Sequence, residues 1–255
     1  MKRPLRRMRR HAKELTRLLR LRANRQGRWE SLMLTPQTHL AGLCDAHGSD
    51  KGSLRPDAAH PYAWPPHSHT EVTDLLLRPL RRHARWVLEC GIGTNDPARP
   101  SSMGERGRPG ASLRVWRDYV PAARIIGIDI DERILFTEER IETYAVDQTS
   151  ADSIARFLSR LPEDARFDLI IDDGLHTPQA AFSLFTGVSQ HLAEDGIYVI
   201  EDVALAKIPL HGAFFAGLAE DFAARVFVLH RAGQEIRDNC LLVVTRRDRL
   251  CPEAR

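Results

Sequence analysis

The chain has 255 residues, 43% hydrophobic and 28% charged, the balance of an ordinary soluble globular protein large enough to bury a core unaided. No apolar run approaches the roughly 18 to 20 residues of a membrane-spanning helix, and the cysteines (Cys44, Cys90, Cys240, Cys251) form no C-x-x-C pair, which disfavours a disulfide framework or zinc ribbon and fits a reducing cytoplasm. The formal charge of +3 is unevenly placed: residues 1–30 hold twelve Lys or Arg and two Glu, so the remainder is net acidic and gives no electrostatic reason to expect nucleic acid as a partner.

Residues 1–30 form a basic N-terminal arm. Met8, Leu15, Leu18 and Leu19 fall at helical spacing, so residues 5–23 are expected to form a basic amphipathic helix. Such a helix suits peripheral contact with an anionic membrane or an acidic partner. A solvated tail, or a helix packed on the body, accounts for the same pattern. Arginines break every apolar stretch before a secretory signal core can form.

Residues 31–82 form a second unit. The run LCDAHGSDKGSLRPDAAHPYAWPPHSHTE is rich in Gly, Pro and His, and three prolines between positions 61 and 66 forbid long regular elements. An irregular lid or substrate segment is expected, since loops of this length are functional or disordered. Thr70 to Arg82 then reads as a helix with Val72, Leu75, Leu76 and Leu80 on one side, and Pro79 near its end.

From position 83 to 250 short apolar runs recur: WVLECG (86–91), RIIGID (124–129), IETYAVD (141–147), FDLIIDD (167–173) and GIYVIED (196–202). Helical patterns such as SIARFLSRL (153–161) and AAFSLFTGVSQHL (180–192) lie between several of them. This alternation predicts an α/β fold with a doubly wound, mostly parallel sheet. ARVFVLH (224–230) and CLLVVTR (240–246) are too close for a helical crossover, so the sheet should end in an antiparallel hairpin.

Ligands of open parallel sheets bind beyond the carboxyl ends of the strands. Those ends carry Glu89-Cys90-Gly91-Ile92-Gly93, Asp129, Asp147-Gln148, Asp172-Asp173 and Glu201-Asp202. One or two such acids would be ordinary helix caps; five in succession suggest a site on the rim. A nicotinamide dinucleotide asks for G-x-G-x-x-G running straight into a helix. Here Asp96 occupies the third glycine position and a Pro-, Gly- and Arg-rich stretch follows, so no helix N-terminus is placed to receive a pyrophosphate. S-adenosylmethionine carries no phosphate. It needs glycine backbone close to its amino-acid part, an acid at its ribose, which Asp129 supplies, and a polar pair at its adenine, which Asp147-Gln148 supplies.

Taken together, VLECGIGT, GASLRVWRDYVPAARIIGIDID, the Asp147-Gln148 pair, IIDDGLH and YVIEDV resemble class I S-adenosylmethionine-dependent methyltransferases. The resemblance is to the metal-dependent sugar O-methyltransferases of macrolide biosynthesis, the mycinamicin and demethylmacrocin type. It covers about residues 45–205, and HGSDKGS resembles the T/S-D-K-G segment of that group. It implies antibiotic biosynthesis, with S-adenosyl-L-methionine and Mg²⁺ as cofactors. It implies cofactor contacts at Glu89, Gly91, Gly93, Asp129, Asp147 and Gln148, metal ligands at Asp173, Glu201 and Asp202, and a general base at His176. The group's aromatic H-x-Y-T-x-x-Y segment is replaced here by His67-Ser68-His69-Thr70-Glu71-Val72-Thr73, without tyrosines.

The chemistry is consistent with that assignment. Carboxylates on adjacent strand ends, about 4.8 Å apart, can converge on one hard cation, and an all-oxygen set favours Mg²⁺. A Lewis acid lowers the pKa of an aliphatic hydroxyl, and a nearby histidine can take the proton. The expected acceptor is a small molecule, a hydroxyl of a sugar or glycosylated natural product. A phenol or catechol acceptor fits the same residues. An NAD(P)-dependent oxidoreductase and a membrane-tethered binding module fit them less well. Among the loop histidines, His47, His60, His67 and His69 are placed for substrate contact or for solvent. A homo-oligomer is compatible with the sequence.

Overall fold

The computed structural model describes residues 28–33, 37–99, 101–218, 220–231, 233–234 and 236–246. The expected helix over residues 5–23 lies outside them.

In chain order the described elements begin with strand β1 (Arg28–Met33), helix α1 (His39–His47), helix α2 (His69–Leu77), strand β2 (Trp86–Cys90), helix α3 (Ala111–Tyr119) and strand β3 (Arg124–Asp129). A short β4 (Thr137–Glu138), β5 (Ile141–Ala145), α4 (Ala151–Leu158), β6 (Phe167–Asp172), α5 (Pro178–Val188) and β7 (Leu192–Ile200) follow. Helix α6 (Ile208–Ala216) and strands β8 (Ala223–His230) and β9 (Cys240–Thr245) complete the set. The strands form one sheet in the order β1-β8-β9-β7-β6-β2-β3-β5-β4. Strands β7, β6, β2, β3 and β5 are parallel neighbours, β9 runs antiparallel between β7 and β8, and β4 is antiparallel to β5. The α/β architecture and its closing antiparallel hairpin are those the sequence predicts.

Strand side chains alternate between two buried faces. Leu88, Ile126, Ile170 and Tyr198 pack into a core with Ile154, Leu184 and Phe185, where Phe185 meets Tyr198, Phe215 and Phe222 edge to face. Val87, Ile125, Leu169 and Val199 face the other way, onto Leu40, Val72, Leu113 and Trp116. Covered on both faces, the central strands read as continuous apolar runs.

Several boundaries differ from the sequence reading. Helix α2 ends at Leu77, before Pro79, because a proline ring clashes with continued helix. Helix α1 sits inside the stretch expected to be irregular: the Thr38 side chain accepts from Ala41 N at 3.1 Å, Gly48 ends the helix at φ +83°, and Leu40, Ala41 and Cys44 are buried. Strand β1 begins at Arg28, inside the span read as arm, and pairs in parallel with β8. No helix among the described residues is long and apolar enough to cross a membrane.

Candidate active site

The carboxyl ends of β2, β3, β5, β6 and β7 open onto one cavity of about 640 Å³, closed on its far side by the 49–67 segment and residues 236–238. Of the residues expected at the site, Gly91, Gly93, Asp129, Asp147, Gln148, Asp173, His176 and Asp202 line it.

The first wall is held by backbone hydrogen bonds. Gly91 and Gly93 adopt φ +85° and +84°, and a Cβ at Gly91 would fall 2.2 Å from the carbonyl oxygen of Asp173, so the loops after β2 and β6 touch only because glycine is there. Asp129 accepts from Ile92 N and from Asp131 N, one on each oxygen, both at 2.9 Å. Gln148 donates to Asp172 Oδ1 at 3.1 Å and accepts from Leu175 N at 2.7 Å. Its side-chain amide thus ties the end of β5 to the loop after β6, leaving Asp147 as the more open member of the pair.

The second wall is a crowd of charges. His176 and Asp202 both adopt φ +52°, in the left-handed region where side chains other than glycine's are strained. His176 Nε2 lies 4.0 Å from Asp202 Oδ2, and one ligand atom each of Asp173, His176 and Asp202 lies within 4.8 Å of the others. Glu201 lies outside the cavity lining. It and Glu89 are buried behind the cavity wall, both against a lysine that the sequence did not single out. Lys51, 3% exposed, donates to Asp173 and Glu201 and lies 3.1 Å from Glu89. Burial opposes charge on Lys51, but Asp173, Glu201 and Glu89 outweigh it and hold the ammonium protonated. Burial likewise works against an ionised Glu201, yet Lys51 and His69 pull its pKa down to about 2. Burial, with Asp202 and Glu201 beside it, raises Asp173 against the pull of Lys51. Glu89, raised by burial, also accepts from Trp116 Nε1 at 2.6 Å. It sets Lys51 and α3 in place from behind the cavity lining.

The loop histidines separate into two groups. His47 pairs with Asp118 at 2.7 Å outside the cavity, and His60 stacks on Tyr62. His67 and His69 are buried at the rim, their rings stacked 4.6 Å apart. His67 Nε2 is 3.4 Å from both Asp202 Oδ1 and Asp238 Oδ1. Burial disfavours its charge, but Asp202, Asp238 and Asp50 raise its pKa to about 10. The signal for both residues was the His-Ser-His run itself, and for Lys51 the Asp-Lys-Gly run, yet neither told which strand ends they would meet.

This architecture is the fold of class I S-adenosylmethionine-dependent methyltransferases. The methyltransferase MycE from the mycinamycin biosynthetic pathway, solved in complex with Mg and SAH, superposes with a TM-score of 0.58 at 22% identity, over 83% of this chain and 55% of that one. The sequence resemblance to sugar O-methyltransferases also holds among curated proteins. The chain is 30% identical over 193 residues (75% of this chain, 44% of the relative) to the 8-demethyl-8-alpha-L-rhamnosyl tetracenomycin-C 2'-O-methyltransferase of Streptomyces olivaceus. It is 34% identical over 146 residues (57% and 34%) to the mycinamicin VI 2''-O-methyltransferase of Micromonospora griseorubida. It thus spans less than half the length of these relatives. No family model matches it.

Proposed function

We propose that this chain is an S-adenosylmethionine- and Mg²⁺-dependent O-methyltransferase acting on a hydroxyl of a sugar in a glycosylated natural product. The observation that carries the reading is one cavity with two unlike walls: a glycine loop with Asp129 on one side, and Asp173, His176 and Asp202 gathered within 4.8 Å on the other. Relatives that methylate sugar hydroxyls of polyketides support the acceptor class. The first helix after the glycine loop starts only at Ala111, which disfavours a dinucleotide.

The donor set fits both groups. Carboxylate oxygens from neighbouring strand ends suit a hard divalent ion, and the positive-φ glycines leave bare backbone at the cavity. When bound, the cofactor supplies an electrophilic methyl group and the ion lowers the pKa of an acceptor hydroxyl. Asp129 holds the ribose hydroxyls, Gly91 and Gly93 admit the amino-acid portion, and Asp147 with Gln148 flanks the adenine. Glu89 supports this side through Lys51 and Trp116. Asp173, Glu201 and Asp202 would hold the ion. His176 takes the proton lost by the acceptor hydroxyl, at Nε2, the nitrogen facing Asp202.

The test is transfer of an isotopically labelled methyl group from S-adenosylmethionine to rhamnosylated polyketides, with Mg²⁺ and with excess EDTA, alongside calorimetry of cofactor binding. Label on a sugar hydroxyl only when Mg²⁺ is present is the expected result. Label on an aglycone phenol would move the acceptor to a phenol or catechol. Absence of S-adenosylmethionine binding would overturn the reading.

A further inference from the structure

Asp202 faces a second group of potential ligands besides Asp173 and His176. His67, His69 and Asp202 each place one ligand atom within 4.8 Å of the others. Both histidines turn Nε2 toward the same oxygen, Asp202 Oδ1, at 3.4 Å from His67 and 3.7 Å from His69. His69 is 1% exposed, and neither of its ring nitrogens makes a hydrogen bond. A buried imidazole without partners is costly, so its nitrogens are expected to meet something.

The surroundings of the two rings point to what that is. Behind His67, Nδ1 faces Asp50 Oδ2 at 3.9 Å; behind His69, Nδ1 faces Glu201 Oε1 at 3.8 Å. A carboxylate behind the non-ligating nitrogen is the arrangement that orients metal-bound histidines and raises their basicity. The backbone carrying them is also fixed. Arg231 donates to the carbonyls of Pro66 and His67, Asn239 Oδ1 accepts from Ser68 N, and Thr70 N donates to Lys51 O. Once a bound ion displaces the proton that Asp202 and Asp238 share with His67 Nε2, two imidazoles and one carboxylate, with room in the cavity for further ligands, form a set that suits iron-, cobalt- or zinc-like divalent ions. An all-oxygen set suits Mg²⁺ instead.

We propose that His67, His69 and Asp202 form a second divalent-metal site, built for a transition-metal ion and sharing Asp202 with the carboxylate site at Asp173. The inference concerns metal binding alone, and its test stands or falls independently of methyl transfer.

The probe is Co²⁺, titrated calorimetrically into the metal-free 255-residue chain and compared with Mg²⁺, in wild type, His69→Phe and Asp173→Asn. Phenylalanine keeps the buried ring. Wild type should bind Co²⁺ more tightly than Mg²⁺. His69→Phe should weaken Co²⁺ by more than the roughly 10- to 100-fold typical of losing an outer-shell partner, and Mg²⁺ by less than that. Asp173→Asn should weaken Mg²⁺ and spare Co²⁺. In Co²⁺-loaded wild type, paramagnetically shifted, solvent-exchangeable ring N–H protons from two histidines should appear in the proton NMR spectrum, a readout that needs no variant. Loss of Co²⁺ with Asp173→Asn but not with His69→Phe, equal loss with both, or no shifted imidazole protons would overturn the proposal.

Discussion

On the wall formed by the loops after β2, β3 and β5, each polar side chain already has its partners: Asp129 is fixed by two backbone N–H groups and Gln148 bridges two loops. The opposite wall gathers Asp173, Glu201, Asp202, His67 and His69, with the buried Lys51 paired to Asp173 and Glu201, unpartnered imidazole nitrogens and two strained residues at φ +52°. The first wall is complete as a protein surface and awaits only a ligand of matching shape. The second packs carboxylates and imidazoles at ligand distances from one another, the kind of donor set that suits a metal ion. Under the proposed function, the first wall would position the cofactor and the second would carry the reaction.

The sharpest way to break that division is to remove a reacting group and look for damage on the positioning side. His176→Ala should lower turnover by about 10²–10⁴-fold, the usual contribution of a general acid or base. S-adenosylmethionine affinity, read by calorimetry, should stay unchanged, because His176 makes no hydrogen bond to the glycine loop or to Asp129. A variant that loses cofactor binding in step with turnover would show that the two walls are one unit.

Lys51 tests the charge balance itself. Lys51→Met leaves the buried Glu89 and Glu201 and the half-buried Asp173 without their shared cation. Removing one partner of a buried ion pair costs about 3–5 kcal/mol. Chemical denaturation without metal should therefore show a loss of that size. Saturating Mg²⁺ should recover part of it, since a divalent ion then takes the place of the ammonium. Stability equal to wild type without metal would mean that the carboxylates are neutral or solvated, and the contrast between the walls would disappear.

How much of this could be read from the sequence follows from the range of the interactions. Strands β2, β3, β6 and β7 declare themselves because each is a local apolar run ended by an acid. The hairpin partner β9 is legible because the gap between it and β8 is short. The acids Asp129, Asp173 and Asp202 follow from the strand-end rule. Helix α1 was hidden because His39–His47 mixes three buried residues with Asp45 and flanking histidines, so stability comes from its Thr38 and Gly48 caps and from packing. Helix α6 is apolar nearly all round and shows no face. Lys51 reaches Asp173 and Glu201 across 122 and 150 residues of chain, and nothing local encodes that closure. Glu201 follows from the same strand-end rule as Asp202; what the sequence does not show is that its carboxylate meets Lys51.

The smallest expected effect belongs to the wall that is already satisfied. Asp129→Asn keeps one carbonyl oxygen to accept from Ile92 N or Asp131 N but sets an amide N–H against the other donor. It also removes the charge that would accept the two ribose hydroxyls. Losing a charge-assisted hydrogen bond costs about 1.5–3 kcal/mol, or roughly ten- to a hundredfold in cofactor affinity. The damage should stay on its own side. Mg²⁺ and Co²⁺ affinities should match wild type, because the hydrogen bonds of Asp129 and Asp131 stay within the β2 and β3 loops. Calorimetry of cofactor and metals on the same preparation reads both quantities at once. If metal affinity falls together with cofactor affinity, the loop after β2, which meets Asp173 through Gly91, transmits strain from one wall to the other, and the two halves of the cavity are mechanically coupled.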